Sequence, residues 1–487
     1  MIGLTVALPF LSSGGASVSG DAAPAPPPTL PIAVTTRWHP AHSTVTLDGD
    51  RVTAASDLAG LAHASAPTGA GPTAKIDALG RPFWRFEGDS YLEIADALTL
   101  TSRDMSVFFV GRFHQVVTRS PVFSLGRADG VAPNTIQSAL ETSVEGSSVP
   151  ALRTYSYPRN SSYTDMAKMV TGSQMQVVGM VGRGNAAGGS RLWLNADRIT
   201  VQQPYLVSDV AGAEIGRYAY RPDDSGTWGR FDLYEMIVLD NAVTDLDGDA
   251  LVADLMTTYG IVPAVNQLVL EGDSIMRGTD PVTSGLCPNM VLTDPGAGLL
   301  GPDWRVLNVA STGAAIAKVI ERRDAPDGWI TTPLSGTNVL AFELGRNDMA
   351  AGGQSPAIHY ANVVDYLTDD VSGTGQSVLA HGWDIRALVN IASATSLEAD
   401  INAYRALLRD PAFAIDTQTE AGGAYAGQLQ LVETDLITVG GDPVFASASD
   451  ASDLTYYAGD NTHPSIIGSA VRVTGGDNPA HGIAYGL

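Results

Sequence analysis

The order of apolar and polar positions divides this chain into two long regions of different character. From about residue 35 to 262, short runs of β-branched and aromatic residues, such as MSVFFVGRF and FDLYEMIVL, are separated by Gly, Pro, Asn and Asp. Many short strands with turn residues between them are typical of an all-β jelly-roll sandwich, and we predict that fold for 35–262. The region closes with TDLDGDALVADLMTTYGI, a predicted helix that Thr244 caps and Gly260 ends.

From residue 263 to 487, short apolar strands alternate with helical segments. The strands are NQLVLEG, WRVLNV, NVLAFEL and RALVNI, and Ser355 and Pro356 stand at the start of one helical segment. This alternation predicts an α/β three-layer domain built on a parallel sheet. Ahead of both regions, 1–34 combines an apolar start with the stiff run AAPAPPPTLP. We interpret it as an arm that anchors the chain to a structural partner; a flexible tail without a role is the alternative.

Charge and composition narrow the function classes. The chain has 52 acidic and 28 basic residues, and its net charge of −24 repels phosphate backbones, which argues against a nucleic-acid partner. Its one cysteine, Cys287, excludes an intrachain disulfide and a cysteine-based zinc site. No stretch reaches the ~20 apolar residues that span a bilayer. The N-terminus lacks the basic residues that begin a signal peptide, so we expect none.

The tetrapeptide EGDS occurs twice, and Gly-Asp-Ser carries the nucleophile in some hydrolases. Ser90 lies between two strand-like runs with no helix after it, so we interpret it as a turn residue. Ser274 follows the apolar strand NQLVLEG at the point where a helix should begin. That is the edge of a parallel sheet where ligands bind. Context therefore favours Ser274 as the nucleophile.

Three further polar segments follow later strands or lie in a late loop. ASTG ends at Gly313, GRND contains Asn347, and DNTH contains Asp460 and His463. Because the carboxyl ends of parallel strands meet at one edge of the sheet, we expect these segments to converge on Ser274. A serine hydroxyl needs a base, and the intermediate needs donors for its oxyanion.

Taken together, these four blocks resemble the SGNH (GDSL-type) hydrolase family over roughly 265–475. The resemblance implies a flavodoxin-like SGNH domain and a serine ester hydrolase. It also implies that Ser274 is the nucleophile and His463 the base, that Asp460 orients His463, and that Gly313 and Asn347 supply the oxyanion hole. No metal or cofactor is implied. FEGDSYLEI and RLWLNADRI resemble segments of concanavalin-like (laminin-G-type) lectin domains, which implies glycan binding by the sandwich.

Other candidate residues have competing interpretations. Asp273 is expected in a turn or behind the site, and Arg346 either binds substrate or is a surface charge. The acidic run at Asp245 suggests calcium, but Met256 stands where a full calcium loop needs Glu, so helix capping is preferred. His39 and His42 lack a clustered third ligand for a metal.

The combination predicts a carbohydrate O-acetylesterase acting on acetylated bacterial polysaccharide. With its anchoring arm the chain is similar to phage-type fibre or spike proteins, which places it on a virion or at a cell surface, with homo-oligomer formation left open. Two alternatives remain: a non-catalytic polysaccharide receptor-binding protein, and a secreted bacterial SGNH esterase or lipase.

Overall fold

A computed structural model describes residues 29–487, with short interruptions. The interruptions fall at 35, 61, 95–103, 115–119, 128–135, 144–150, 157–162, 167–173, 183–189, 202–209, 218–228, 278–287, 294–297, 325–328, 351, 394–396 and 421. Most of the predicted arm at 1–34 and Cys287 lie outside the described residues.

Seventeen strands in the first half of the chain belong to one antiparallel sheet system. They are β1 (Thr36–Trp38), β2 (Val45–Asp48), β3 (Arg51–Ala55), β4 (Ala64–Ser65), β5 (Thr73–Ile76), β6 (Pro82–Glu87), β7 (Leu92–Ile94), β8 (Met105–Phe113), β9 (Ser120–Arg127), β10 (Ile136–Ser143), β11 (Ala151–Ser156), β12 (Tyr163–Met166), β13 (Gln176–Gly182), β14 (Ser190–Leu194), β15 (Asp197–Val201), β16 (Val210–Ile215) and β17 (Arg230–Leu239).

Thirteen of these strands fall into two groups that share one core, and β2 to β5 connect the groups through the pairs β5–β6 and β4–β7. In the first group β17 pairs with β1, β6 and β8, and β8 continues through β13 and β14 to β15. In the second, β7, β16, β9, β10, β11 and β12 pair in that order. Trp84 and Phe109 of the first group and Leu92 and Phe123 of the second belong to the same buried cluster. In those strands of the two groups whose side chains are described, alternate residues therefore point into the space between the groups.

Helix α1 (Asp245–Tyr259) covers the outer face of the first group. The Thr244 hydroxyl accepts a hydrogen bond from the Asp247 N–H at 3.1 Å, and Gly260 ends the helix in the left-handed conformation with φ 66°. Both predicted caps are confirmed. Leu251 and Leu255 of α1 pack against Phe108 and other residues of that face.

A five-stranded parallel sheet occupies the second half of the chain. Its strands are β18 (Asn266–Gly272), β19 (Trp304–Asn308), β20 (Asn338–Glu343), β21 (Asp384–Leu388) and β22 (Leu429–Val432), in the spatial order β19-β18-β20-β21-β22. A separate short pair, β23 (Thr438–Val439) and β24 (Asp442–Pro443), is antiparallel.

Short helices cover both faces of the parallel sheet. They are α2 (Ser274–Arg277), α3 (Pro288–Leu292), α4 (Ile316–Arg323), α5 (Arg346–Ala350), α6 (Pro356–Thr368), α7 (Glu398–Leu408), α8 (Ala414–Thr419) and α9 (Ile466–Thr474). Val269 and Leu340 of the sheet share a core with α4, α6 and α7, whereas Leu268 and Val339 face α3 and α9. Both faces are apolar because a parallel sheet is buried on two sides.

The proportions of antiparallel and parallel sheet show that the predicted fold class is wrong. The prediction divided the chain about evenly between a jelly-roll sandwich and a flavodoxin-like SGNH domain. Instead, antiparallel β structure dominates the chain, and among the described residues only α1, α6 and α7 exceed ten residues. The parallel sheet is the smaller of the two, with five described strands against seventeen. None of the helices in the described part of the chain is both long and apolar enough to cross a membrane.

Candidate functional site

Three neighbouring parallel strands end at the same edge of the sheet and place the predicted site residues there. β18 leads into Ser274, β19 leads into the loop that contains Gly313, and β20 leads into Asn347. The end of β18 must be glycine, because a Cβ on Gly272 would lie 2.5 Å from the Glu343 carbonyl oxygen. The backbones of β18 and β20 thus approach closely where the nucleophile's turn begins.

Ser274, His463 and Asp460 form a continuous chain of hydrogen bonds. His463 Nε2 lies 2.6 Å from Ser274 Oγ, and His463 Nδ1 lies 2.5 Å from Asp460 Oδ2. Ser274 and His463 are 189 residues apart in the sequence, so only the fold brings them together. The predicted convergence of these three residues is what the structure displays.

The loop that carries His463 is held in place by its own backbone. Asp460 Oδ1 accepts hydrogen bonds from the N–H groups of Thr462 and His463, both at 3.0 Å. Burial alone would raise the pKa of Asp460, but these bonds and the imidazole bond favour its ionised form and bring the pKa below the usual 3.8. Ser465 then caps α9 by accepting from the Gly468 N–H. An ionised carboxylate therefore stands behind the imidazole.

Gly313 and Asn347, the predicted oxyanion donors, lie beside the serine's turn. Gly313 has φ 72°, a conformation that favours glycine. Asn347 Nδ2 donates to the Ala314 carbonyl at 3.0 Å and lies 3.4 Å from Asp273 Oδ2. One amide thus contacts both the Gly313 loop and the residue that precedes Ser274.

Asp273 and Arg346, which flank the site in the sequence, are both buried. Asp273 is 3% exposed, and its Oδ1 accepts from the Ile275 N–H at 2.9 Å. Arg346 is not a surface charge: it is buried and donates from Nη2 to the Ile391 carbonyl at 2.7 Å.

Two buried ion pairs beneath the site were missed by the sequence reasoning. Arg322 pairs with Glu271 and also donates to Ser311 Oγ at 2.7 Å, which ties the loop after β19 to β18. Arg472 of α9 pairs with Glu343 at the end of β20. The sequence did contain a sign of these pairs: Glu271 and Glu343 each stand at the end of an apolar strand, where an unpaired buried charge would be costly.

The remaining candidates have structural roles. Ser90 is fully buried, and its Oγ accepts from the Glu87 N–H at 3.3 Å in the turn between β6 and β7. His39 contacts the Tyr259 hydroxyl at 3.1 Å. Asp245 begins α1 next to its cap. Within the described ranges, no group of three or more acidic, His or Cys side chains is placed to hold a metal ion.

No family model matches this chain. None of the curated proteins matches it either.

The solved structures that are similar include Trypanosoma rangeli sialidase in complex with the inhibitor DANA, at 10% identity and a TM-score of 0.34, with 46% of this chain and 33% of that chain covered. Domain 4 of AbnA, a GH43 extracellular arabinanase from Geobacillus stearothermophilus in complex with arabinotriose, has 15% identity and a TM-score of 0.28, covering 38% and 81%. The binding domain of botulinum neurotoxin DC in complex with SialylT has 12% identity and a TM-score of 0.30, covering 44% and 51%. The chain spans about a third of the length of the sialidases that it matches.

These findings correct the predicted family and activity. The similar structures named above are glycoside hydrolases and a toxin binding domain, not SGNH hydrolases, and no family model supports the SGNH membership. The predicted serine esterase class and carbohydrate O-acetylesterase activity are therefore wrong. The predicted virion-fibre role is not supported by these comparisons. The correction does not affect the positions of Ser274, His463 and Asp460, which are given by the distances between their side chains.

Proposed function

We propose that this protein uses Ser274 as an activated nucleophile and that its ligand is a glycan. The observation that carries the first part is the hydrogen-bonded chain from Ser274 Oγ through His463 to Asp460, with distances of 2.6 and 2.5 Å. A serine hydroxyl is a weak nucleophile unless a base stands within hydrogen-bond reach and a third group orients that base. This arrangement meets both requirements.

In the proposed chemistry, Ser274 Oγ attacks an electrophilic centre of the substrate while His463 Nε2 accepts the hydroxyl proton. A bond forms between Oγ and the substrate atom, and the leaving group departs with the proton that His463 returns to it. Asp460 holds Nδ1–H and stabilises the imidazolium. The backbone N–H groups of Ser274 and Gly313 and the Asn347 amide are the proposed donors to the developing oxyanion.

A fluorophosphonate probe tests the nucleophile without assuming which bond the protein cleaves. Ser274 Oγ would attack phosphorus, fluoride would leave, and the proton would pass to His463. We expect peptide mapping by mass spectrometry to find the adduct on Ser274 in the wild type and in Ser90→Ala, which is the matched control. Ser274→Ala should carry none, and His463→Gln should react about 10²–10⁴-fold more slowly because the base is lost. A wild type that stays unlabelled, or equal labelling of Ser274→Ala, would refute the proposal.

The glycan part is tested separately by binding. Ser274→Ala, which would leave bound material intact, is applied to an array of acidic and neutral bacterial polysaccharides and to sialylated oligosaccharides. Saturable binding to a defined glycan supports the proposal. Absence of binding across the array would contradict the glycan assignment while leaving the nucleophile result untouched.

A further inference from the structure

The carboxylate of Asp273 is buried, and within the part of the chain that the structure describes it forms no ion pair. Glu271 and Glu343 at the same edge of the sheet are paired with Arg322 and Arg472. Among the described residues, by contrast, no cation lies within ion-pair distance of Asp273, although it is only 3% exposed. A buried charge without a cation is costly, and such groups are concentrated at functional sites.

The contacts of Asp273 connect the nucleophile's turn to the Asn347 amide. Its Oδ1 accepts from the Ile275 N–H at 2.9 Å, and its Oδ2 lies 3.4 Å from Asn347 Nδ2. The two residues are 74 positions apart and lie at the ends of different strands. We propose that Asp273 is a positioning residue that, together with the Ala314 carbonyl, sets the place of the Asn347 amide beside Ser274. This inference rests on the proposed nucleophile site.

The Asn347 side-chain amide has two acceptors near its nitrogen, the Ala314 carbonyl and the Asp273 carboxylate. The amide nitrogen of Asn347 has two hydrogens, and it lies within hydrogen-bond distance of two protein acceptors. The bond to the Ala314 carbonyl is the shorter, at 3.0 Å, and the contact with Asp273 is the longer, at 3.4 Å. The Ala314 bond keeps the amide in place, and the longer contact with Asp273 fixes its orientation while leaving the second hydrogen weakly held, so that it can be shared with a developing oxyanion.

The electrostatic surroundings agree with a carboxylate kept for this purpose. Burial, and then the nearby Glu343 carboxylate, raise the pKa of Asp273 from 3.8 to about 6. The groups that act in the opposite direction are the Ile275 N–H, the Arg346 guanidinium and His463. Above pH 6 the carboxylate is ionised and accepts from the Asn347 amide, and below that pH it becomes protonated and loses acceptor strength.

A double-mutant cycle on the full chain tests whether Asp273 acts through Asn347. The readout is the rate constant of phosphonylation by the fluorophosphonate probe, separated from the probe's reversible binding. We expect Asp273→Asn to slow the covalent step by about 10²-fold, the usual consequence of a misplaced group, with binding unchanged. Asn347→Ala should slow it by about 10²–10³-fold. Adding Asp273→Asn to Asn347→Ala should then change nothing further. If the two effects multiply instead, Asp273 does not act through Asn347 and the inference is overturned.

The double-mutant cycle has three controls. Asp477→Asn removes an exposed carboxylate of the same half of the chain, one that accepts from Gly440 and Gly441, and should react like the wild type. Thermal unfolding shows whether each variant folds, and if Asp273→Asn does not, the cycle is run with Asp273→Ser, which retains an acceptor for the Ile275 N–H. Failure of the wild type to label at Ser274 would refute the proposed nucleophile, whereas a multiplicative cycle with normal wild-type labelling refutes only the role of Asp273.

Discussion

Replacing Asp273 by Asn should make the protein more stable at neutral pH even though it slows the site. The pKa of Asp273 rises from 3.8 to about 6 on folding because the carboxyl is buried near Glu343. Each pKa unit corresponds to about 1.4 kcal/mol, so ionising this group costs the folded state about 3 kcal/mol. Asn cannot ionise and avoids that cost.

The direction of the pH dependence follows from the raised pKa. Below pH 3.8 the carboxyl is protonated in both the folded and unfolded states, and the stability that it contributes is fully present. That stability is lost as the pH rises through about 6, where the folded state must also ionise. Between pH 5 and 8 the loss amounts to about 1.4 kcal/mol for the wild type. The free energy of unfolding of Asp273→Asn, relative to the wild type, should therefore increase by that amount over this range.

Urea unfolding at pH 5, 6, 7 and 8 measures this difference. Asp477→Asn is the control, because hydrogen bonds from Gly441 and Gly440 lower the pKa of the exposed Asp477, and its titration falls below this range. Its difference from the wild type should stay flat between pH 5 and 8. A flat difference for Asp273→Asn as well, or one that decreases with pH, would refute the argument from burial.

Two further predictions concern the scaffold. Thr244→Ala should lower the free energy of unfolding by about 1 kcal/mol, because the Asp247 N–H loses its cap at the start of α1; an unchanged urea midpoint would contradict this. Gly345→Ala should cost more than about 1 kcal/mol, because Gly345 has φ 123° and a Cβ there would lie 2.8 Å from His359 Nε2. Gly382→Ala is the matched control, since it also has a positive φ, 81°, but open space around its Cβ. Equal losses for both glycine variants would show that the contact with His359 does not matter.

Features that depend on interactions between neighbouring residues could be predicted from the sequence. The Thr244 and Gly260 caps were predicted because a hydroxyl at a helix start and a glycine at a helix end act on their immediate neighbours. The two EGDS copies were separated by their flanking residues, and the structure accordingly buries Ser90 in a turn. The esterase activity was not predictable in this way, because it was inferred from a family resemblance and not from an interaction between neighbouring residues.

The sequence by itself indicated the strands that begin at Asn266, Trp304 and Asn338, and that parallel strands would bring polar segments to one edge of a sheet. Only the tertiary structure decided which side chains touch there. The contacts Ser274–His463 and Asp273–Asn347 join positions 189 and 74 residues apart. Whether Asp273 is a solvated turn residue or a buried, costly carboxylate depends on what packs over it. Burial and long-range distance are properties of the folded chain, and no local pattern of residues encodes them.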